Sequence, residues 1–99
     1  MNSPHGQTAT AFRPPVMGRN GMVTSGHPLA SQAGIQVLQM GGNAVDAAIA
    51  TAAALGVVEP QGSGMGGDGF LMIYDAATGA VSTINATGPA PAEATREQY

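Results

Sequence analysis

Few residues of this 99-residue chain are of types and spacings that could do chemistry. Gly64-Met65-Gly66-Gly67-Asp68-Gly69 has the spacing of a dinucleotide-binding turn. That chemistry needs a strand before the glycines and a helix after them, so that a pyrophosphate meets the helix N-terminus. The apolar patterning here predicts the reverse order, and no acid follows at the distance that would hold a ribose. The run is therefore read as a tight backbone crossing. Ser63, flanked by Gly62 and Gly64, resembles a nucleophile elbow in spacing alone, because the elbow also requires strand, turn and helix in that order. No histidine lies downstream to serve as its base. His27, just before Pro28, reads as a helix-capping residue, and Asp46 as the acid of a helix first turn. Asp68 could bind backbone amides or face a substrate pocket, and the structural role is preferred. Asn85-Ala86-Thr87 matches a glycosylation sequon but lies mid-fold with no secretory signal before it. No nucleophile is paired with a base, so the residues themselves assign no catalytic group, no cofactor and no metal site.

The bulk composition narrows the possible partners. There are no lysines, three arginines (Arg13, Arg19, Arg96) and six acids, for a net charge of −3. Such a chain offers no basic patch to nucleic acid or to an anionic membrane. With no cysteine it can form neither a disulfide framework nor a thiolate zinc site, and two histidines do not make a metal centre. Charged residues are 9% of the chain, against about 25% in a typical globular domain. The 18 alanines, 15 glycines and four aromatics suit close backbone packing more than an independent core. Much of the surface is therefore expected to be covered by other protein.

The elements that must position these residues follow from periodicity. Met1 to about residue 20 is polar and proline-bearing, and is expected to be a disordered tail. It lacks a basic region followed by an apolar run, which points to a cytoplasmic protein, with a periplasmic location as the alternative. Gly21–Ser25 reads as a short strand. Pro28 suits the first position of a helix, with Ser25 or His27 at the cap. Ala30, Ala33, Gly34, Val37 and Leu38 share one face of that helix, and Gln32, Gln36 and Gln39 the other. Gly41-Gly42 ends it. Asn43 opens a second helix, from Ala44 to about Val57, apolar all round and so expected to be covered on all sides. Glu59-Pro60 stops it. After the glycine turn, Phe70–Tyr74 reads as a strand buried on both faces, Asp75–Gly79 as a hairpin turn and Val81–Ala86 as the return strand. Ala92–Tyr99 is expected to begin a helix, which ends uncapped and suggests a truncated sequence. The apolar run Ala47–Val58 is too short for the roughly twenty residues of a membrane span.

Several blocks together strongly resemble the start of the large subunit of gamma-glutamyltranspeptidases. They are Gly21-Met22-Val23-Thr24-Ser25-Gly26-His27-Pro28-Leu29-Ala30-Ser31, Gly41-Gly42-Asn43-Ala44-Val45-Asp46-Ala47-Ala48-Ile49-Ala50, Gly56-Val57-Val58-Glu59-Pro60 and the glycine stretch up to Phe70. The resemblance runs from about Gly21 to Tyr99. It implies an α/β (α+β) fragment of an N-terminal nucleophile hydrolase, a four-layer αββα sandwich. This segment would supply a helical hairpin followed by a β-hairpin, within an incomplete domain spanning 21–99. It further implies a precursor that cuts itself to free an N-terminal threonine. That threonine attacks a γ-glutamyl amide such as glutathione's and passes the acyl group to water or an amino acid. The implied partners are the rest of the large subunit, the small subunit and a small-molecule amide.

The nucleophile and the oxyanion glycines of the family would lie outside these 99 residues, so no catalytic residue is carried over. One substrate-binding position is. After the hairpin, transpeptidases carry aspartate, any residue, arginine, glutamate, any residue, alanine, proline. The arginine grips the α-carboxylate of the γ-glutamyl group. Here the stretch is Asn85-Ala86-Thr87-Gly88-Pro89-Ala90-Pro91. Thr87 stands at the arginine's place, and Pro89 at the place where gamma-glutamyltransferase-like relatives often carry one. Related acylases and oxamate amidohydrolase are the alternative reading for substrate, and a non-catalytic structural module the alternative for class. A reading frame continuing to a threonine after a cleavage site would separate enzyme from module.

Overall fold

The computed structural model describes residues 14–98. The greater part of the expected N-terminal tail lies outside the described residues, and 14–20 carry no helix or strand and are exposed. Helix α1 spans Pro28–Gln39, helix α2 Ala44–Val58, strand β1 Phe70–Asp75 and strand β2 Ala80–Asn85. A single 3-10 turn follows at Arg96–Gln98.

Each helix end has a local chemical cause. At the start of α1, Pro28 supplies a preset φ where no amide partner is needed. The His27 Nδ1 accepts from the Leu29 amide at 3.1 Å. Ser25 Oγ donates to the His27 carbonyl at 2.8 Å and lies 2.7 Å from Ser31 Oγ. Ser25 has one hydroxyl hydrogen, already given to His27, so Ser31 donates across that pair. At the far end of α1 the Gly42 amide bonds the Val37 carbonyl (2.9 Å) and the Gly41 amide the Leu38 carbonyl (3.1 Å). This is a Schellman cap, and it needs a positive φ at its turning residue. Gly41 provides it at φ 95°. Asn43 then starts α2 at once. Its side-chain oxygen accepts from Val45 and Asp46, while the Asp46 carboxylate accepts from the Asn43 amide at 2.9 Å.

The two helices meet at one close crossing. Gly34 is buried in α1, opposite Ala47 and Thr51 of α2. A Cβ on Gly34 would run into Thr51 Oγ1, lie 2.9 Å from Val23 Cγ1 and 3.2 Å from the Ala47 carbonyl oxygen. Thr51 keeps its hydroxyl satisfied by donating back to that same carbonyl at 2.8 Å. Ala30 (0% exposed), Ala47 (3%) and Thr51 (7%) complete the interior, and among the described residues no large side chain is fully buried. The amphipathic face expected for α1 is thus borne out, with glutamines 32, 36 and 39 outside.

Four expectations are corrected. Residues 21–25 form no strand. Exposure does alternate from Met22 to Pro28 as it would in one, but no strand among the described residues lies alongside to complete a ladder. Helix α2 is not covered on all sides, since Ile49 and Val57 are 65% and 80% exposed. Among the described residues the only helix packed on it is α1. Strand β1 is half-buried on one face only, at Leu71 and Ile73, because a two-stranded ribbon has a single covered face. The helix expected from Ala92 shrinks to the 3-10 turn at Arg96–Gln98. Among the described residues no helix is long and apolar enough to cross a membrane.

Two outcomes follow. Gly34→Ala gains up to about 1 kcal/mol of helix propensity, but a three-sided clash of this kind costs about 1–3 kcal/mol. A net lower melting temperature is expected in a cooperatively folding protein that contains this helix pair, whereas Gln32→Ala on the exposed face should stay within about 0.5 kcal/mol of wild type. With an interior made of alanine, glycine and threonine, the 99-residue chain alone should show no cooperative thermal transition and no dispersed amide spectrum. A sharp two-state melt would contradict this.

Candidate functional site

The hairpin is the element that places Thr87. Strands β1 and β2 pair antiparallel, with Phe70 opposite Asn85 and Asp75 opposite Ala80. The pairing continues one step beyond β2, where the Ala86 amide donates to the Gly69 carbonyl at 2.8 Å. Continuing the same register brings Asp68 opposite Thr87, so the glycine turn and the 85–88 segment share one end of the ribbon. Leu71, Met72, Ile73 and Tyr74 line a cleft of about 130 Å³ together with Ala44, Val45 and Ala48, so β1 runs beside the start of α2.

At that end the side chains of Asn85 and Thr87 bond to each other. Asn85 Oδ1 accepts from the Thr87 amide at 3.1 Å and from Thr87 Oγ1 at 2.8 Å. Gly88 follows at φ 71°, a left-handed backbone that turns the chain away from the sheet at no steric cost. Both side chains are exposed among the described residues.

The other end of the ribbon pins its register. The Asp75 carboxylate accepts from the Thr78 hydroxyl (2.8 Å) and the Ala77 amide (3.0 Å). The Gly79 amide closes the turn on the Asp75 carbonyl at 2.7 Å, with Gly79 at φ 71°. The Thr78 hydroxyl first, and the Ala77 amide second, hold the Asp75 carboxyl below its ordinary value.

The other candidates separate from this end of the ribbon. His27 caps α1 and Asp46 completes the α2 capping box, so both serve helix termini. Ser63 is half-buried, its amide bonded to the Glu59 carbonyl at 3.1 Å, in a turn that follows a helix and precedes a strand. The glycine run has the same inverted order, with α2 before it and β1 after it, and Asp68 is exposed within it. Sequence reasoning missed two polar groupings. The Ser25–Ser31 pair lies six residues apart across a helix start, and no periodicity announces it. The Asn85–Thr87 bond was signalled by the Asn-x-Thr spacing, which reads equally as a sequon.

Residues 30–99 match the family described as Gamma-glutamyltranspeptidase. The chain is 49% identical over 83 residues to the glutathione hydrolase proenzyme of Bacillus subtilis (strain 168), covering 84% of this chain and 14% of that protein. It is 46% identical over 90 residues to the acylase ACY 1 proenzyme of Pseudomonas sp. (strain SE83), covering 91% of this chain and 16% of that one. It superposes on Helicobacter pylori gamma-glutamyltranspeptidase with a TM-score of 0.76 at 42% identity, covering 84% of this chain and 24% of that one. The chain therefore spans about a seventh of the length of the curated relatives it matches.

The turn that sets the register should be acid-sensitive. A carboxyl held below its ordinary value stabilises the fold above the unfolded value of about 3.9, and that contribution disappears as pH falls through the lower folded value. Near neutral pH, hydrogen exchange in the 70–85 ribbon of a longer protein that contains it should be slower in wild type than in Asp75→Asn. Once the pH has fallen below that lower folded value the two should converge. A difference that persists unchanged into acid would mean that the carboxylate charge does not hold the turn.

Proposed function

Because the chain belongs to the gamma-glutamyltranspeptidase family, we propose that it is the early large-subunit segment of an enzyme that hydrolyses or transfers γ-glutamyl groups through a threonine nucleophile lying outside these residues. The reading rests on a single observation. The helical hairpin, the glycine turn and the β-hairpin occur in the same order and superpose on a solved transpeptidase at 42% identity. The nucleophile would be freed by self-cleavage of a precursor, its own α-amine would act as base, and the acyl-enzyme would pass to water or an amino acid. The segment's contribution would be positional. The helical pair supports the ribbon, and the ribbon carries position 87 toward the acyl group. Its partners would be the remaining large subunit, the small subunit and a small-molecule amide.

A second reading of the substrate is favoured by one residue. Thr87 stands where the resemblance places a carboxylate-gripping arginine, and a hydroxyl cannot form a bidentate charged pair. An acylase-type substrate, without a free amino-acid head, accords with that exchange and with the 46% identity to acylase ACY 1.

The full-length chain should cut itself into two polypeptides, the smaller beginning with threonine, and should hydrolyse γ-glutamyl-p-nitroanilide, whereas the 99 residues alone should not. An arginine–carboxylate pair in a partly desolvated pocket is worth ~2–5 kcal/mol on truncation. Thr87→Arg should therefore raise the kcat/KM ratio of γ-glutamyl over glutaryl anilide by roughly thirty-fold or more. If wild type already favours the γ-glutamyl substrate a hundred-fold and Thr87→Arg adds nothing, position 87 is not the carboxylate site.

A further inference from the structure

The bond between Asn85 and Thr87 determines what that end of the ribbon can offer a ligand. The Thr87 amide is a donor only, so the Asn85 atom it meets at 3.1 Å is the carbonyl oxygen of the side-chain amide. That oxygen carries no hydrogen. The Thr87 hydroxyl, 2.8 Å away, must therefore donate to it. A hydroxyl has one hydrogen, so the outward side of Thr87 Oγ1 holds lone pairs alone. The Asn85 NH2 group makes no hydrogen bond to another described residue and keeps two donors free. The pair is uncharged and displays an acceptor oxygen beside an NH2 donor group.

We propose that Asn85 and Thr87 act together as a neutral donor–acceptor pair that selects acyl groups bearing an uncharged carboxamide where a γ-glutamyl group bears its α-carboxylate. The inference rests on the proposed reading in which position 87 faces the acyl group. A carboxamide matches the pair atom for atom: its N–H donates to Thr87 Oγ1, and its oxygen accepts from Asn85 Nδ2. A carboxylate can take the Asn85 donor, but it sets a second acceptor against the lone pairs of Thr87, with no cation nearby on the ribbon to compensate. The Thr87 hydroxyl could turn to donate only by giving up its bond to Asn85. A site that hydrogen-bonds an N–H rejects an analogue lacking it more strongly than an apolar site rejects a change of size, because its own polar group is left unpaired. Asn85 is the positioning residue here, since it decides which way the Thr87 hydroxyl points.

The test uses the full-length enzyme and two anilides that differ only at the α-carbon, γ-glutamyl-p-nitroanilide and its α-carboxamide. Wild type should favour the carboxamide in kcat/KM by about tenfold or more. Thr87→Val should lower the carboxamide-to-carboxylate ratio by about tenfold, and Thr87→Ser should restore it. Asn85→Ala should also narrow the ratio, by releasing the hydroxyl to donate, with KM for the carboxylate substrate falling. A merely structural role would lower both substrates in parallel and leave the ratio unmoved. A tenfold preference of wild type for the carboxylate, or Thr87→Val and Asn85→Ala each leaving the ratio where it was, would overturn the proposal. A self-cleaving, active enzyme with that carboxylate preference sinks this inference and leaves the proposed reaction standing. A chain that neither self-cleaves nor hydrolyses either anilide sinks both.

Discussion

The close approach of two helix backbones at Gly34 is the constraint on which the rest of the arrangement depends. Helices carrying ordinary side chains pack 8–10 Å apart, and small residues at the crossing allow a nearer contact. Here Gly34, Ala30, Ala47 and Thr51 leave little more than backbone at the interface. Thr51 is the one polar side chain there, and its hydroxyl is satisfied within its own helix by the Ala47 carbonyl. The interface therefore gains its stability from many short contacts and few buried methylenes. It also fixes the 20–27 segment, because Val23 packs into the same crossing. At the other end of α2 the Glu59 carboxylate lies so near Gly26 that a Cβ there would come within 2.8 Å of it.

From that crossing the geometry propagates outward by short connections. The Schellman cap at Gly41-Gly42 and the capping box at Asn43 and Asp46 leave almost no slack between the helices, so fixing α1 fixes the start of α2. Strand β1 runs beside that start, with a cleft between them. The ribbon's register is then held from both ends, by the Asp75 turn and by the bond from Ala86 to Gly69. Register matters more than strand position here. A slip of one residue would turn the half-buried Leu71 and Ile73 to the other face and put Thr87 on the opposite side.

The parts legible in the sequence were those with local causes. Pro28, Asn43, Asp46 and Gly41 mark helix ends by hydrogen bonding confined to a few residues, and the glutamine spacing marks the outer face of α1. The four corrected expectations all concern long-range partners. A period-two segment at 21–25 becomes a strand only when another strand lies beside it. Helix α2 and strand β1 show how apolar a surface is but not which neighbour covers it. Propensity from Ala92 onward was too weak to hold a helix without tertiary contacts, and order is confined to the turn at Arg96–Gln98. At the candidate site, the sequence marked Thr87 only through family resemblance. Its partnership with Asn85 was hidden in a three-residue pattern with more than one use.

The exchange at position 87 is more informative as a pair than as a single substitution. In the register that the resemblance implies, an aspartate stands two residues before the arginine that would grip the substrate's carboxylate. On that register both charges are absent together: Asn85 presents an acceptor oxygen, and the Thr87 hydroxyl donates its hydrogen to it at 2.8 Å. If position 87 faces the acyl group as proposed, removing the arginine alone would leave a carboxylate near the substrate's own, and like charges at that spacing repel. Replacing both leaves a locally satisfied, uncharged turn, which accords with a chain carrying 9% charged residues and no lysine. The backbone bond from Ala86 to Gly69 involves neither side chain, so residues 85 and 87 can change without disturbing the ribbon that presents them.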